Sequence, residues 1–185
     1  MYADYYATRI TDVVLISPRV FSDSRGYFLE SFRRDNFVRE VEPIDFIQDN
    51  ESMSRYGVLR GLHYQLPPHA QSKLVRVVTG EVLDVAVDIR RNSPTFGQYV
   101  NTRLSGENKL QLYIPKGFAH GFVVLSKKAV LTYKVDAPYA PDYEAIINYA
   151  DPLLNIDWKI PHSHIQTSER DRKAPYLKDA VVFES

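Results

Sequence analysis

Residues 82–89 alternate without a break. Leu83, Val85, Val87 and Ile89 fall on one face of an extended chain, and Asp84, Ala86 and Asp88 fall on the other. Period-two alternation excludes a helix at this point and predicts a strand. The same kind of run recurs roughly every 8 to 15 residues, bounded by Gly, Pro, Asn and Asp. The runs are 13–16, 27–32, 58–65, 74–79, 99–104, 110–114, 121–125, 130–135 and 145–149. Helical periodicity is almost missing: 33–40, with Asp35 near its start, is the best short helix, and 168–173 fits a second. Such a chain folds as an antiparallel sandwich or barrel, because a parallel sheet would need a crossover helix between strands. Gly80-Glu81, between two runs, predicts a hairpin turn. The segment from Asp151 onward is irregular, with too few apolar residues for a domain of its own. It is expected to wrap the barrel, so that residues 1–185 form one domain, as the length also suggests.

Composition narrows the function. Lys plus Arg is 23 and Asp plus Glu is 23, so the net charge is zero. That argues against a nucleic-acid binder, which carries a basic excess, and removes a brake on self-association. There is no cysteine, which excludes a disulfide scaffold, a thiolate metal site and a cysteine nucleophile. The start, MYADYYATRI, is polar and aromatic, with no basic stretch ahead of an apolar run, and no segment has the roughly 20 apolar residues of a membrane span. A cytoplasmic protein without a membrane partner is expected.

Chemistry centres on five histidines. His162 and His164, in a Pro-flanked polar tail, and His69, beside Pro67-Pro68, read as surface residues. His63 lies inside the run VLRGLHYQ, and His120 inside IPKGFAHGF, at the start of a strand after a Pro/Gly turn. These two resemble the half-motifs of the cupin barrel, H-x-H and P-x-G-x-x-H. The second is intact from Pro115 to His120. The first reads His63-Tyr64-Gln65, with an amide where the second imidazole belongs. A transition-metal site would then be short of ligands. The resemblance therefore implies an all-β, cupin-type jelly roll (a double-stranded β-helix of antiparallel strands) with no metal and no other cofactor. A metal-dependent cupin enzyme is the alternative.

Longer stretches make the resemblance specific. FSDSRGYFLESF (21–32), the stretch 46–97, LSGENKLQLYIPKGFAHGFVVLS (104–126), YKVDAPYAP (133–141) and SERDRKAP (168–175) together resemble the dTDP-4-dehydrorhamnose 3,5-epimerase family. The resemblance implies a nucleotide-linked 4-keto-6-deoxy sugar as substrate. Its C4 ketone acidifies the hydrogens on C3 and C5, and reprotonating an enolate from the opposite face inverts either carbon. This needs a base near neutral pKa, a group orienting it, a cation at the enolate oxygen and an acid on the far face. By similarity His63 is the base and Asp171, 108 residues on, its partner. Lys73 faces the C4 oxygen, and Tyr133, sharing its alternation with Leu131 and Val135, is the acid. Arg25 and Arg60 match pyrophosphate contacts, where a planar fork binds oxygens in pairs. Gln48, Asp49 and Asn50 form a polar cluster for phosphate, sugar or neighbouring loops. Glu30 and Glu144 match nucleotide contacts, Tyr139 a residue stacked on thymine, and His120 a donor in the sugar pocket. Arg170 stands where the family usually has Lys, keeping the charge but changing its geometry. The family works as a homodimer with shared sites, so Arg25 and Glu30 are expected to act in the partner's site, and Tyr2, Tyr5 and Tyr6 suit an interface.

Two alternatives within reach of the same motifs are a mono-epimerase, acting at C3 or C5 only, and a catalytically silent sugar-nucleotide binder. One feature resists the pattern: strict alternation over 58–65 puts Arg60 and His63 on opposite faces, unless Gly61 makes a bulge or one side chain rounds the strand edge. The locally basic set Arg25, Arg60 and Lys73 also implies that the compensating acids lie mostly elsewhere.

Overall fold

The computed structural model describes residues 2–184. The strands are β1 (Ala3–Ala7), β2 (Val14–Pro18), β3 (Val20–Asp23), β4 (Gly26–Leu29), β5 (Gln48–Arg55), β6 (Leu59–Gln65), β7 (Lys73–Thr79), β8 (Glu81–Asp88), β9 (Tyr99–Ser105), β10 (Gln111–Ile114), β11 (Phe118–Val124), β12 (Lys128–Val135) and β13 (Glu144–Ile146). One sheet runs β1-β2-β10-β7-β12-β5 and the other β13-β6-β11-β8-β9, while β3 and β4 form a separate hairpin. Pairing within both sheets is antiparallel. The result is the expected cupin-like jelly roll. Val75, Val77 and Leu131 from one sheet meet Val82, Ala86, Phe122 and Val124 from the other to fill its interior.

The alternation of β8 is present, with a consequence the sequence did not display. Leu83, Val85 and Val87 point away from the barrel interior and pack beneath Trp158, Leu177 and Phe183 of the wrapping C-terminal segment. Val82 and Ala86 point inward, so Asp84 and Asp88 belong to the inner face. Both faces are covered, and seven of the eight residues are buried. The apolar face is thus the outer one, buried by the tail, and the acid-bearing face lines the barrel.

The hairpin expected at Gly80-Glu81 does not form. The strands on either side, β7 and β8, lie in different sheets, so the turn is a corner between them. Gly80 has φ +80°, and a Cβ there would lie 2.0 Å from the Lys128 carbonyl oxygen, so only glycine fits. The short helices do form, α1 (Arg34–Glu40) and α2 (Glu169–Arg172). Phe37 of α1 is buried against Phe32, Phe46 and Tyr113 on the outside of the six-stranded sheet. The polar cluster Gln48, Asp49 and Asn50 opens an eight-residue strand at a sheet edge, which the pattern of apolar residues does not show. Its hydrophilic composition, which hid it, follows from that edge position.

Candidate active site

Arg60 and His63 do share a face. Between β6 and β11, His120 pairs with His63 and Phe122 with Arg60, so three steps on β6 oppose two on β11. That one-residue bulge flips the phase of alternation. Leu59, Leu62 and Tyr64 pack outward, leaving Arg60, His63 and Gln65 for the inside. The bulge sits at Gly61, φ +133°, whose peptide to Leu62 is cis. A Cβ on Gly61 would come within 2.5 Å of the Gly121 Cα, so two backbones touch where no side chain fits. Arg60 is tied to the neighbouring sheet by its Nε, which donates to Ser54 Oγ at 3.1 Å.

His63 lines an open cleft of about 350 Å³ with Arg60, Thr167, Ser168, Arg170 and Asp171. Its Nε2 lies 2.7 Å from Asp171 Oδ1. The carboxylate side chain is 5% exposed and the imidazole 32%. Ser168 caps α2 by accepting the Asp171 N–H at 3.0 Å, which fixes that residue's backbone in the first turn. Asp171 Oδ2 accepts longer bonds from Gly61 N–H and Thr167 Oγ1, both at 3.4 Å. Burial alone would raise this carboxyl's pKa. The hydrogen bond and charge of His63 outweigh it, with help from Gly61 and Ser168, and hold it below the usual carboxylate range. An ionised Asp171 fixes the Nε2–H tautomer, so that Nδ1 carries the lone pair.

Lys73 opens β7 on the face of Val75 and Val77, which puts it inside the barrel. Burial pulls its pKa down to about 8, opposed by the nearby carboxylates Asp84 and Glu144. Tyr133 packs with the inner cluster on the face of Leu131. Burial raises its pKa, Arg60 opposes and Glu144 adds to the rise, so the phenol keeps its proton through neutral pH. His120 Nε2 lies 3.0 and 2.9 Å from the two oxygens of Asp84. This second imidazole–carboxylate pair is almost sealed, with side chains 8% and 0% exposed. In the sequence Asp84 stands on one face of a strand, with nothing local to give it a role. The available signal was an acid in a strand whose other residues are nearly all apolar.

Glu144 gathers two further members of the expected site. Its Oε2 accepts from the Tyr139 hydroxyl at 2.9 Å and from Arg170 Nη1 at 2.6 Å. The cluster Gln48, Asp49 and Asn50 divides. Gln48 Nε2 donates to Asn50 Oδ1 at 2.8 Å, and Asn50 pairs with Tyr133 across the strands. Asp49, one residue out of phase, turns outward, is mostly exposed and binds Lys134. Arg25 and Glu30 are not part of the cleft either. Arg25 projects at the turn between β3 and β4, 88% exposed and held by Asp23, and Glu30 pairs with Arg33 at 2.6 Å. The expectation that the acids lie elsewhere is also corrected, because Asp84, Glu144 and Asp171 stand among the site's own cations.

A transition metal does not suit the donors. Both imidazoles direct Nε2 at carboxylates, and the Gln65 amide binds main chain at both ends. Among the described residues, no three His, Asp or Glu side chains gather as a ligand set.

Residues 7–179 match the family model described as dTDP-4-dehydrorhamnose 3,5-epimerase. The chain belongs to this family. It is an isomerase, as the resemblance in its motifs implied. A Pseudomonas aeruginosa dTDP-4-dehydrorhamnose 3,5-epimerase is 53% identical over 180 residues, 96% of this chain and 98% of that one. The crystal structure of a Legionella pneumophila epimerase in complex with dTDP-4-keto-L-rhamnose matches with a TM-score of 0.92 at 48% identity, covering 96% of this chain and 94% of that one. A doubly substituted 3'-monoepimerase from Streptomyces bikiniensis, in complex with dTDP, matches with a TM-score of 0.86 at 34% identity, covering 92% and 86%. No helix is long and apolar enough to cross a membrane among the described residues.

Proposed function

We infer that the protein epimerises C3 and C5 of dTDP-4-keto-6-deoxyglucose on the way to dTDP-L-rhamnose, with the base, cation and acid on the inner wall of one barrel. The observation that carries this reading is the His63–Asp171 pair, 2.7 Å apart in the cleft of Arg60 and Arg170. His63 Nδ1 takes the proton from C3 or C5, and Asp171 stabilises the imidazolium that forms. Lys73 places its charge at the C4 oxygen as the enolate develops, where a single such donor is worth about 10²–10³ in rate. Tyr133 returns a proton from the opposite face, and its raised pKa keeps it loaded for that step. Arg60 and Arg170 take the pyrophosphate. Tyr139, Glu144, Gln48 and Asn50 hold the nucleoside and sugar, and His120, sealed against Asp84, backs the sugar pocket from the barrel wall.

The reaction is tested by running it in deuterated water and reading the product by NMR. Label at both C3 and C5 is expected. Label at one carbon alone assigns a mono-epimerase, and none assigns a silent binder.

The working unit on this reading is a homodimer in a cytoplasmic setting. The β3–β4 hairpin supports it: Phe28, Tyr27 and Phe21 are 67, 57 and 41% exposed, and Arg25 projects beyond them. Apolar side chains of this size on a projecting hairpin suit a protein interface. The hairpin then delivers Arg25 and Glu30 to the partner's cleft. Mixing subunits checks this. Arg25→Ala and His63→Ala proteins, each impaired alone, should recover about a quarter of wild-type activity when equal amounts are unfolded and refolded together, because about half of the dimers are then mixed and one of the two sites in each carries neither lesion. Activity no higher than the sum of the two, in a confirmed mixed dimer, would place Arg25 in its own subunit's site.

A further inference from the structure

Gln65 occupies the position where a metal cupin carries its second imidazole, and its amide is spent elsewhere. It is 3% exposed. Its Nε2 donates to the carbonyls of His69 at 2.6 Å and Pro138 at 3.2 Å, and its Oε1 accepts the Ala140 N–H at 2.8 Å. Three of the four bonds such an amide can make go to main chain. Six residues on, Gln71 Nε2 donates to the Ala137 carbonyl at 2.7 Å. The backbone of Ala137, Pro138 and Ala140 is thereby gripped on both sides of Tyr139, whose own ring is 56% exposed. The far end of that ring is fixed as well, through its hydroxyl on Glu144, and Glu144 pairs with Gln65 across β13 and β6. An exposed aromatic ring held by the protein at both its backbone and its tip is a preorganised stacking surface.

We propose that Gln65 and Gln71 are positioning residues that set the Tyr139 ring before the nucleotide arrives, so that the position matching a metal cupin's second imidazole governs nucleotide affinity. The proposal rests on the reading that Tyr139 stacks on the nucleobase. Ordering a loop ahead of binding removes an entropic cost from association and leaves the chemical step alone. The glutamines should therefore act on KM and on dTDP binding, with little effect on kcat.

The test is dTDP affinity by calorimetry, with kcat and KM on the keto sugar and a thermal melt for each variant. Gln71→Ala is expected to weaken dTDP binding about 5–20-fold and raise KM in step, with kcat within about twofold. Gln65→Ala should do the same more strongly. If the loss of its buried amide prevents folding, Gln71→Ala decides alone. In a Tyr139→Ala background, Gln71→Ala should change affinity by less than about twofold, because the ring it positions is gone. Unchanged affinity in Gln71→Ala, or an equal loss with and without the Tyr139 ring, overturns the positioning role while leaving Tyr139 as the nucleobase contact. Unchanged affinity in Tyr139→Ala alone overturns the stacking itself, and the proposal with it.

Discussion

The barrel holds two imidazole–carboxylate pairs of similar geometry, and they differ in everything else. In His120–Asp84 both partners sit on neighbouring strands, β11 and β8, and the pair is nearly sealed. In His63–Asp171 the imidazole is on a strand and the carboxylate on a short helix of the wrapping tail, and the imidazole is about a third exposed. A base has to reach its substrate, so access separates the two. The sealed pair suits a fixed electrostatic role: Asp84 is the first carboxylate to oppose the lowering of Lys73. One scaffold thus uses the same two residue types for proton transfer and for holding a neighbour's charge, and solvent access makes the difference.

The largest expected effect falls on the open pair. Asp171→Asn should lower kcat by about 10²–10⁴ with a small change in KM, because the tautomer of His63 is no longer fixed. A loss in KM alone would make Asp171 a binding residue. Lys73→Met should lower kcat/KM by about 10²–10³ and stabilise the fold. The pKa of Lys73 falls from an unfolded 10.5 to about 8 in the folded protein. Folded protein therefore binds fewer protons between those values, and keeping the ammonium charged costs stability below pH 8. The penalty fades as pH rises toward 10.5. Denaturant melts should show Lys73→Met more stable at pH 7, by on the order of 1–3 kcal/mol, with the gain shrinking at higher pH. A variant less stable than wild type at pH 7 would mean that the ammonium is well solvated.

Smaller effects concern pH. For the free enzyme, kcat/KM should fall as pH rises through about 8, where Lys73 loses its proton. Tyr133 is shifted the other way and should not contribute there. Lys73→Arg should carry that limb to higher pH, and an unmoved limb would assign it to another group. Asp84→Asn should move it to lower pH by a fraction of a unit to about one unit, since a carboxylate holding the proton on Lys73 is gone. A limb left in place would detach the sealed pair from Lys73.

How far these features could be read from sequence follows their range along the chain. The alternation of β8 and the helix at residues 34–40 are local patterns, and they stood out, although the alternation did not say which face turns inward. The cupin half-motif from Pro115 to His120 is local too. Asp171 could be joined to His63 only through the family resemblance, because 108 residues separate them and only the wrapping of the C-terminal segment brings them together. The phase flip at Gly61 was visible as a conflict between Arg60 and His63, and its solution required the register of β11. The corner at Gly80 reads like a hairpin, because turn residues do not say to which sheet the next strand goes. The inner acids were assigned elsewhere because charge balance says nothing about which face of a strand they occupy.

The claim that access divides the two pairs is tested most directly by deuterium wash-in. His63→Ala and His120→Ala proteins are incubated separately with dTDP-4-keto-6-deoxyglucose in deuterated water, and exchange at C3 and C5 is followed by NMR. No exchange above background is expected with His63→Ala, and slower but measurable exchange at both carbons with His120→Ala. Exchange that survives loss of His63 and disappears with His120 would contradict that claim.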